Sequence, residues 1–417
     1  MSRFLFVVPP LAGHAYPASA VADALAGRGH EVAWAGPRAR LSPLLAPGST
    51  VYPTGMRPYR EQAGTGMAAV KSLWDEFVLP FARHTLPAVL RAIEAYQPDA
   101  MAVDQHALAG ALAARRHGLP WATMCTSPME LAQPFRGLPK VESWLSGRLA
   151  ALSREAGLSS QDDFDLRFSP YLGIAFTSQA LSGDLELPAQ VALTGPALGA
   201  RPPGPGFGWD RVDPRRRHVL VTMGTLTAGI AADRPDFRAR AIEALRPLGD
   251  QVQPVVIAPE QVLPGPHEHA LITPWAPVLD LMPLLDLVVC HGGQNTVCEA
   301  LAHGIPLVIA PVRHDQPISA AQVTAAGAGV RVNFARVSPQ RLRTAVTLVL
   351  SDPGYRAAAG RIRDSFAAAG GARAAAELLE RLPGARGRGS PPGAMPVLAG
   401  PRDAAAAAVP LAAGSPG

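Results

Sequence analysis

Residues 3–35 read RFLFVVPPLAGHAYPASAVADALAGRGHEVAWA. The opening run, Arg3 to Val8, is short and apolar and suits a buried strand. A turn follows from Pro9 to Gly13. Residues 17–29 then read as a helix, with Pro17 near its start, Val21 and Leu25 on one face, and glycine at its end. His30 to Ala35 is the next strand. Strand, helix and strand in succession make a βαβ unit, which requires a parallel sheet.

The rhythm continues outward. Residues 81–96 read as a helix, 99–104 as a strand ending in Asp104, 107–117 as a helix and 119–124 as a strand. Amphipathic helices and polar loops at 55–80 and 128–165 interrupt it. Residues 196–217 (PALGARPPGPGFGWDRVDPRRR) are rich in Pro and Gly, lack periodicity, and read as a linker. A second series follows: strands at 218–223, 252–257, 287–290 and 306–310, with helices at 236–247, 294–303, 317–326, 338–351 and 355–382. The expected organisation is an α/β protein with an N-terminal domain at 1–195, the linker, and a second domain at 218–383. The last helix is free to pack back on the first domain. Residues 384–417, mostly Gly, Pro and Ala, are expected to be a disordered tail. Two doubly wound sheets place a cleft between their carboxyl edges, where such sheets bind ligands.

Composition narrows the function. The net charge of +5 is small for 417 residues, and no basic stripe carries interleaved aromatics, which argues against nucleic acid. The three cysteines, Cys125, Cys290 and Cys298, form no CxxC or metal-type spacing and fit a reducing compartment. No apolar run reaches the roughly 18 residues of a membrane span. The N-terminal succession Arg3, Phe4–Val8, Ala18-Ser19-Ala20 imitates a signal peptide, but its apolar run is short and stops at Pro9-Pro10. The expected location is the cytoplasm, without stable membrane insertion.

The segment richest in chemistry is His291-Gly292-Gly293-Gln294-Asn295-Thr296-Val297-Cys298-Glu299. It follows a strand and opens a helix. Glycines let a ligand approach the backbone, and free N–H groups at the helix start favour an anion such as a phosphate. His291, Asn295 and Thr296 add hydrogen-bond donors, and Glu299, one turn on, can accept from a ribose diol. A glycine-tightened turn with a capping Asn or Thr gives the same pattern. Gly224-Thr225 marks a second strand–turn–helix junction, or a plain βα loop. Asp315-Gln316 offers acceptors and donors suited to sugar hydroxyls, or an N-cap pair for the following helix. In the first domain Gly13-His14 sits between the first strand and its helix, and Asp104 ends a later strand of the same sheet. A carboxylate that fixes the tautomer of a histidine lets it take a proton from a hydroxyl. Sequence distance leaves open whether the two meet.

The ordered set is more specific than its members. It comprises Pro9-Pro10-Leu11-Ala12-Gly13-His14 with Pro17, Asp104, Gly224-Thr225, Trp275-Ala276-Pro277, the 291–299 segment, Gly304-Ile305-Pro306 and Asp315-Gln316. It resembles the UDP-glycosyltransferase family of GT-B fold, including its bacterial macrolide, plant and carotenoid members, from about residue 3 to 382. The resemblance implies two Rossmann-like domains facing a central cleft, acceptor in the first and nucleotide sugar in the second. It implies an inverting, metal-independent transfer with no cofactor beyond the nucleoside-diphosphate sugar (UDP- or dTDP-) as co-substrate. His14 matches the general base and Asp104 its orienting carboxylate. Gly224 and Thr225 match the donor side, and Trp275 and Ala276 the nucleobase platform. His291, Gly292, Gly293, Asn295 and Thr296 match the diphosphate site, Glu299 the ribose ligand, and Asp315 and Gln316 the sugar ligands. Val278 stands where members often carry Gln, so base recognition there falls to backbone groups, and uridine versus thymidine stays open.

The acceptor expected from this resemblance is a hydroxyl of an apolar natural-product aglycone, such as a polyketide or macrolide antibiotic. Trp74, Phe77, Phe81, Met124, Met129 and Trp144 are candidates to line its pocket, although ordinary helix packing explains them equally. A lipid or carotenoid glycosyltransferase at a membrane surface and a nucleotide-sugar epimerase are the competing readings. A homodimer is compatible with either.

Overall fold

The computed structural model describes residues 1–56, 66–158, 165–224, 236–259, 262–263 and 267–385. Seven strands form the first sheet: β1 (Arg3–Val7), β2 (Glu31–Gly36), β3 (Thr50–Pro53), β4 (Ala100–Asp104), β5 (Trp121–Cys125), β6 (Leu172–Ala175) and β7 (Val191–Leu193). Their order is β3-β2-β1-β4-β5-β6-β7, and every pairing is parallel. Six strands form the second: β8 (Arg217–Thr222), β9 (Val252–Ile257), β10 (Leu271–Thr273), β11 (Leu287–Cys290), β12 (Leu307–Ile309) and β13 (Gly329–Arg331). Their order is β10-β9-β8-β11-β12-β13, again all parallel. Both orders reverse direction next to the first strand of the sheet, between β1 and β4 and between β8 and β11. That reversal opens the crevice in which doubly wound sheets hold ligands.

Strand alternation sorts the cores. Along β1, Leu5 and Val7 enter one layer, while Phe4 and Phe6 enter the layer on the opposite face. Because both faces are covered by helices, the strands are apolar throughout, as parallel sheets require. Among the described residues, no helix is long and apolar enough to cross a membrane.

Three features differ from the sequence reading. The first helix spans Ala12–Gly27, so Gly13 and His14 lie in its first turn and Pro17 lies inside it. The expected helix 355–382 is two helices, Pro353–Ala369 and Gly371–Leu379. The break comes at Gly370 (φ 88°) and Gly371 (φ 58°), conformations open to glycine at little cost. Gly371 N–H donates to Thr194 O at 2.6 Å, and from there the chain crosses to the first domain. Ala375, Ala376, Leu379 and Leu382 then join the core of β1 and the first helix. On the surface, Arg28 Nε and Nη2 grip both oxygens of Glu380, at 2.6 and 2.8 Å.

The third difference concerns residues 196–217. Up to Arg217, where β8 begins, they hold no regular element beyond a short 3-10 turn at Trp209–Arg211, yet they are pinned. Gly199 packs on Ala20, and Gly204 lies against the Trp275 indole so closely that a β-carbon there would stand 2.1 Å from the ring. Of the expected tail, Gly384 and Ala385 lie in a 3-10 turn that begins at Pro383, and 386–417 lie outside the described residues, as does Thr225.

Candidate active site

The first cluster is built at the β1/β4 reversal. Val7 pairs with Val103, so the residues that follow β1 lie beside the end of β4. The first helical turn after β1 presents His14, and β4 ends in Asp104, which is fully buried. His14 Nδ1 lies 3.0 and 2.9 Å from the two Asp104 carboxylate oxygens. The Thr126 hydroxyl donates to Asp104 Oδ2 at 2.7 Å and stands 2.7 Å from His14 Nδ1. The His106 backbone N–H donates to Asp104 Oδ1 at 2.9 Å. Burial pushes the Asp104 carboxyl upward, but His14 and His106 outweigh it and hold the group below the usual carboxylate range. Asp104 therefore stays ionised at neutral pH. A proton on His14 Nδ1 directed at that carboxylate leaves the Nε2 lone pair available as a base.

Behind the dyad lies a buried layer. Gln105 Nε2 donates to Glu130 Oε2 at 2.6 Å, and His106 Nε2 lies 3.6 Å from Glu130 Oε1. Burial pushes His106 down, but Glu130, Asp104 and Asp315 carry it above its ordinary value.

The second cluster sits at the β8/β11 reversal. His291 follows β11, and its ring is wedged between two glycines. A β-carbon on Gly224 would stand 2.6 Å from the ring, and one on Gly293 also 2.6 Å. Gly292 has φ 88°, and a β-carbon there would meet Ile309 at 2.8 Å. These glycines therefore make room for the imidazole as well as for any ligand. Burial, with the charges of Arg238 and Arg313, lowers His291 to about 4, so it is neutral at pH 7, and its buried Nδ1 has no hydrogen-bond partner among the described residues. The helix Gln294–Ala302 starts three residues later, after Gly292 and Gly293, and the N–H groups of its first turn have no intrahelical acceptor.

Across the cleft the domains touch. Asn295 Nδ2 donates to Gly13 O at 3.0 Å. Half-buried Asp315 lies where a Ser127 hydrogen bond and the charge of His14 both act on it; burial nevertheless raises its pKa. Glu299 is buried on the helix Gln294–Ala302, and Arg201 of the Pro/Gly-rich segment donates to its Oε1. The Arg201 guanidinium lies over the Tyr16 ring at 4.4 Å. Gln316 Oε1 accepts from Val312 N and Arg313 N, at 2.9 and 3.1 Å, and so pins the 312–316 loop. Within that loop His314 has φ 55°, an uncommon conformation for a residue with a β-carbon.

These observations meet the comparisons with known proteins. Residues 260–382 match the model of the erythromycin biosynthesis protein CIII-like C-terminal domain. The chain is 30% identical to the 4'-demethylrebeccamycin synthase of Lentzea aerocolonigenes, over 91% of this chain and 99% of that one. The chain belongs to the natural-product glycosyltransferases of GT-B fold. A glycosyltransferase of kitacinnamycin superposes with a TM-score of 0.76 over 91% of this chain and 99% of its own, at 24% identity. The spinosyn rhamnosyltransferase SpnG complexed with thymidine diphosphate gives 0.69 over 91% and 100%, at 25% identity.

In this glycosyltransferase the structure brings His14, Asp104, Asn295 and Asp315 to one cleft. Glu299 faces it behind Arg201. Gly224 flanks His291, and Thr296 is half-buried in the first turn of the helix Gln294–Ala302. Trp275 is half-buried under Gly204, and the Ala276 side chain packs into the core of the second sheet. A cavity of about 860 Å³ in the first domain is lined by Trp74 and Met129, with Glu130, Phe135 and Leu149. Phe77, Phe81, Met124 and Trp144 are not among its described lining residues. Met124 lies on the opposite face of the sheet, because β5 alternates and Met124 shares the layer of Phe4 and Phe6. Phe77 and Phe81 stack on each other with ring centroids 5.7 Å apart. Sequence reasoning missed Thr126, Arg201, His106 and Glu130. The strand order would have found Thr126: β5 pairs with β4, so the residue after Cys125 lies beside Asp104.

Proposed function

We propose that the enzyme transfers a sugar, with inversion, from a nucleoside-diphosphate sugar to a hydroxyl of a bulky natural-product aglycone. The observation that carries this reading is the His14–Asp104 pair, at 2.9 Å, facing the start of the helix Gln294–Ala302 across the cleft. His14 Nε2 takes the acceptor proton, Asp104 and Thr126 hold the ring, and Asp104 stabilises the imidazolium that forms. The acceptor oxygen bonds to the anomeric carbon on the face opposite the diphosphate, and the anomeric bond to the diphosphate breaks. Helix N–H groups, Asn295 and Thr296 stabilise the leaving charge, with neutral His291 as a hydrogen-bond donor. Asp315 and Gln316 are assigned to the sugar, Glu299 to the ribose, Trp275 to the base, and Gly224, Gly292 and Gly293 to the turns around His291.

No metal enters this scheme. Among the described residues, the cluster with metal-ligand spacing is His14, Asp104 and His106, in the first domain. The thymidine diphosphate held by the spinosyn rhamnosyltransferase supports a dTDP-sugar as donor. The 860 Å³ cavity falls in the range of small-molecule sites and supports a polycyclic or macrocyclic acceptor.

The test crosses dTDP- and UDP-sugars with polycyclic and macrocyclic alcohols, reading product mass and anomeric configuration. Retained configuration, or donor conversion without any acceptor product, would overturn the reading.

A further inference from the structure

Pro17 is the sixth residue of the helix Ala12–Gly27, a position where proline is disfavoured. In an α-helix the N–H of residue 17 would bond to the carbonyl of residue 13, four back. Proline has no N–H, so the Gly13 carbonyl has no partner at that position. The partner it does have comes from the other domain: Asn295 Nδ2, at 3.0 Å. Gly13 is bonded directly to His14, and Asn295 is the second residue of the helix Gln294–Ala302. Gly13 is also uncrowded, since a β-carbon there would meet Asn295 Nδ2 at an ordinary 3.9 Å.

We propose that Asn295 is a positioning residue for the base. Through the carbonyl that Pro17 leaves unpaired, it clamps the first turn of the helix, and with it His14, at a fixed distance from the start of the donor-side helix. The inference rests on the reading of His14 as the base and of the 294–302 helix start as the diphosphate site. Two further contacts keep the same cleft shut: Asp315 with the Ser127 hydroxyl, and Cys298 Sγ with Phe176 O at 3.7 Å. Of the three, the Asn295 contact is the one on the residue next to His14. Proton abstraction and attack must coincide, and a misplacement of about 1 Å can cost on the order of a hundredfold in rate.

Pro17→Ala tests the clamp without touching a substrate ligand. It supplies the missing N–H, which draws the Gly13 carbonyl back into the helix and away from Asn295. The expected result is a melting temperature equal to or above wild type, a kcat about tenfold lower, and a donor KM within about twofold. A merely structural role for Pro17 would not lower kcat in a protein that melts no earlier. Asn295→Ala is expected to lower kcat at saturating donor, and Pro17→Ala added to it should lower kcat no further. Wild-type kcat in Pro17→Ala, or losses that multiply in the double variant, overturns the clamp. Should Pro17→Ala not fold, Pro17→Ser, which also supplies the missing N–H, takes its place: wild-type kcat there overturns the clamp. His14→Ala keeps the two readings apart. Loss of transfer there with normal kcat in Pro17→Ala retains the base and removes the clamp; retained transfer in His14→Ala removes the base itself.

Discussion

Arg201 donates to the buried carboxylate of Glu299, across 98 residues of sequence. Burial raises the Glu299 pKa, and Arg201 opposes that rise. Removing Arg201 leaves a buried acid without its cation, so Arg201→Ala should cost about 2 kcal/mol or more. The same substitution in a Glu299→Gln background should cost much less. Denaturant midpoints of the four proteins check this, and equal costs in both backgrounds would dissolve the pair.

Glu299 should act on the donor. Glu299→Ala should raise the donor KM by about tenfold to a hundredfold, the usual range for a lost charged hydrogen bond, and leave acceptor KM nearly unchanged. Steady-state kinetics with each substrate varied in turn is the check. An unchanged donor KM would make Glu299 an anchor for residues 196–217 and nothing more.

His291 makes stability depend on pH. Its folded value of about 4 lies below the 6.5 of an unfolded histidine. Between these values the unfolded chain binds more protons, so stability rises with pH through that window and is lost as pH falls from 6.5 toward 4. The span corresponds to roughly 3 kcal/mol. Chemical denaturation at pH 7 and pH 4.5 should show the loss, and His291→Asn should flatten it. Gly293→Ala should also destabilise, because its β-carbon would meet the ring at 2.6 Å. That penalty should shrink in a His291→Ala background.

The legible and illegible parts of the sequence divide on physical grounds. The strands 252–257 and 287–290 were readable because a strand covered on both faces is apolar without a break. Strands β3, β7, β10 and β13 were not, because each is a sheet edge of three or four residues. Proline is favoured at the first helical position, so the sequence reads Pro17 as a helix start. Here the helix carries Pro17 internally, and the carbonyl it leaves unpaired is taken by Asn295, a partner 282 residues away. His14, Asp104 and the 291–299 segment were legible as residue types in order. Their meeting depended on strand order, and the pairing of Glu299 with Arg201 lay in a segment whose composition reads as linker.

The helix that crosses between domains should carry global stability. Leu379 is fully buried in the core of the first sheet. Leu379→Ala should cost about 2–5 kcal/mol and leave kcat nearly unchanged in the folded fraction. Denaturant titration alongside kinetics checks both. A cost below 1 kcal/mol would mean that the crossing helix is only loosely docked.

The most demanding expectation concerns His14 and the two groups around its Nδ1, Asp104 and Thr126. General-base catalysis is worth roughly 10²–10⁴ in rate, so His14→Ala should leave at most about one per cent of turnover with an aliphatic alcohol. Donor binding to the other domain should survive. Asp104→Asn should also be slow, because an amide can favour the wrong tautomer and cannot stabilise the imidazolium. The double variant should be little worse than His14→Ala alone, since an orienting group has no use without its base. Thr126 separates hydrogen bonding from shape. Thr126→Val removes the 2.7 Å donor to Asp104 and should slow transfer about tenfold, the effect of one hydrogen bond to a charged group. Thr126→Ser should restore it. A phenolic acceptor, whose proton leaves more easily, should suffer less in every one of these variants. Near-normal transfer to an aliphatic alcohol by His14→Ala would sink the mechanism. Multiplicative losses in the His14/Asp104 double variant would give Asp104 a task of its own.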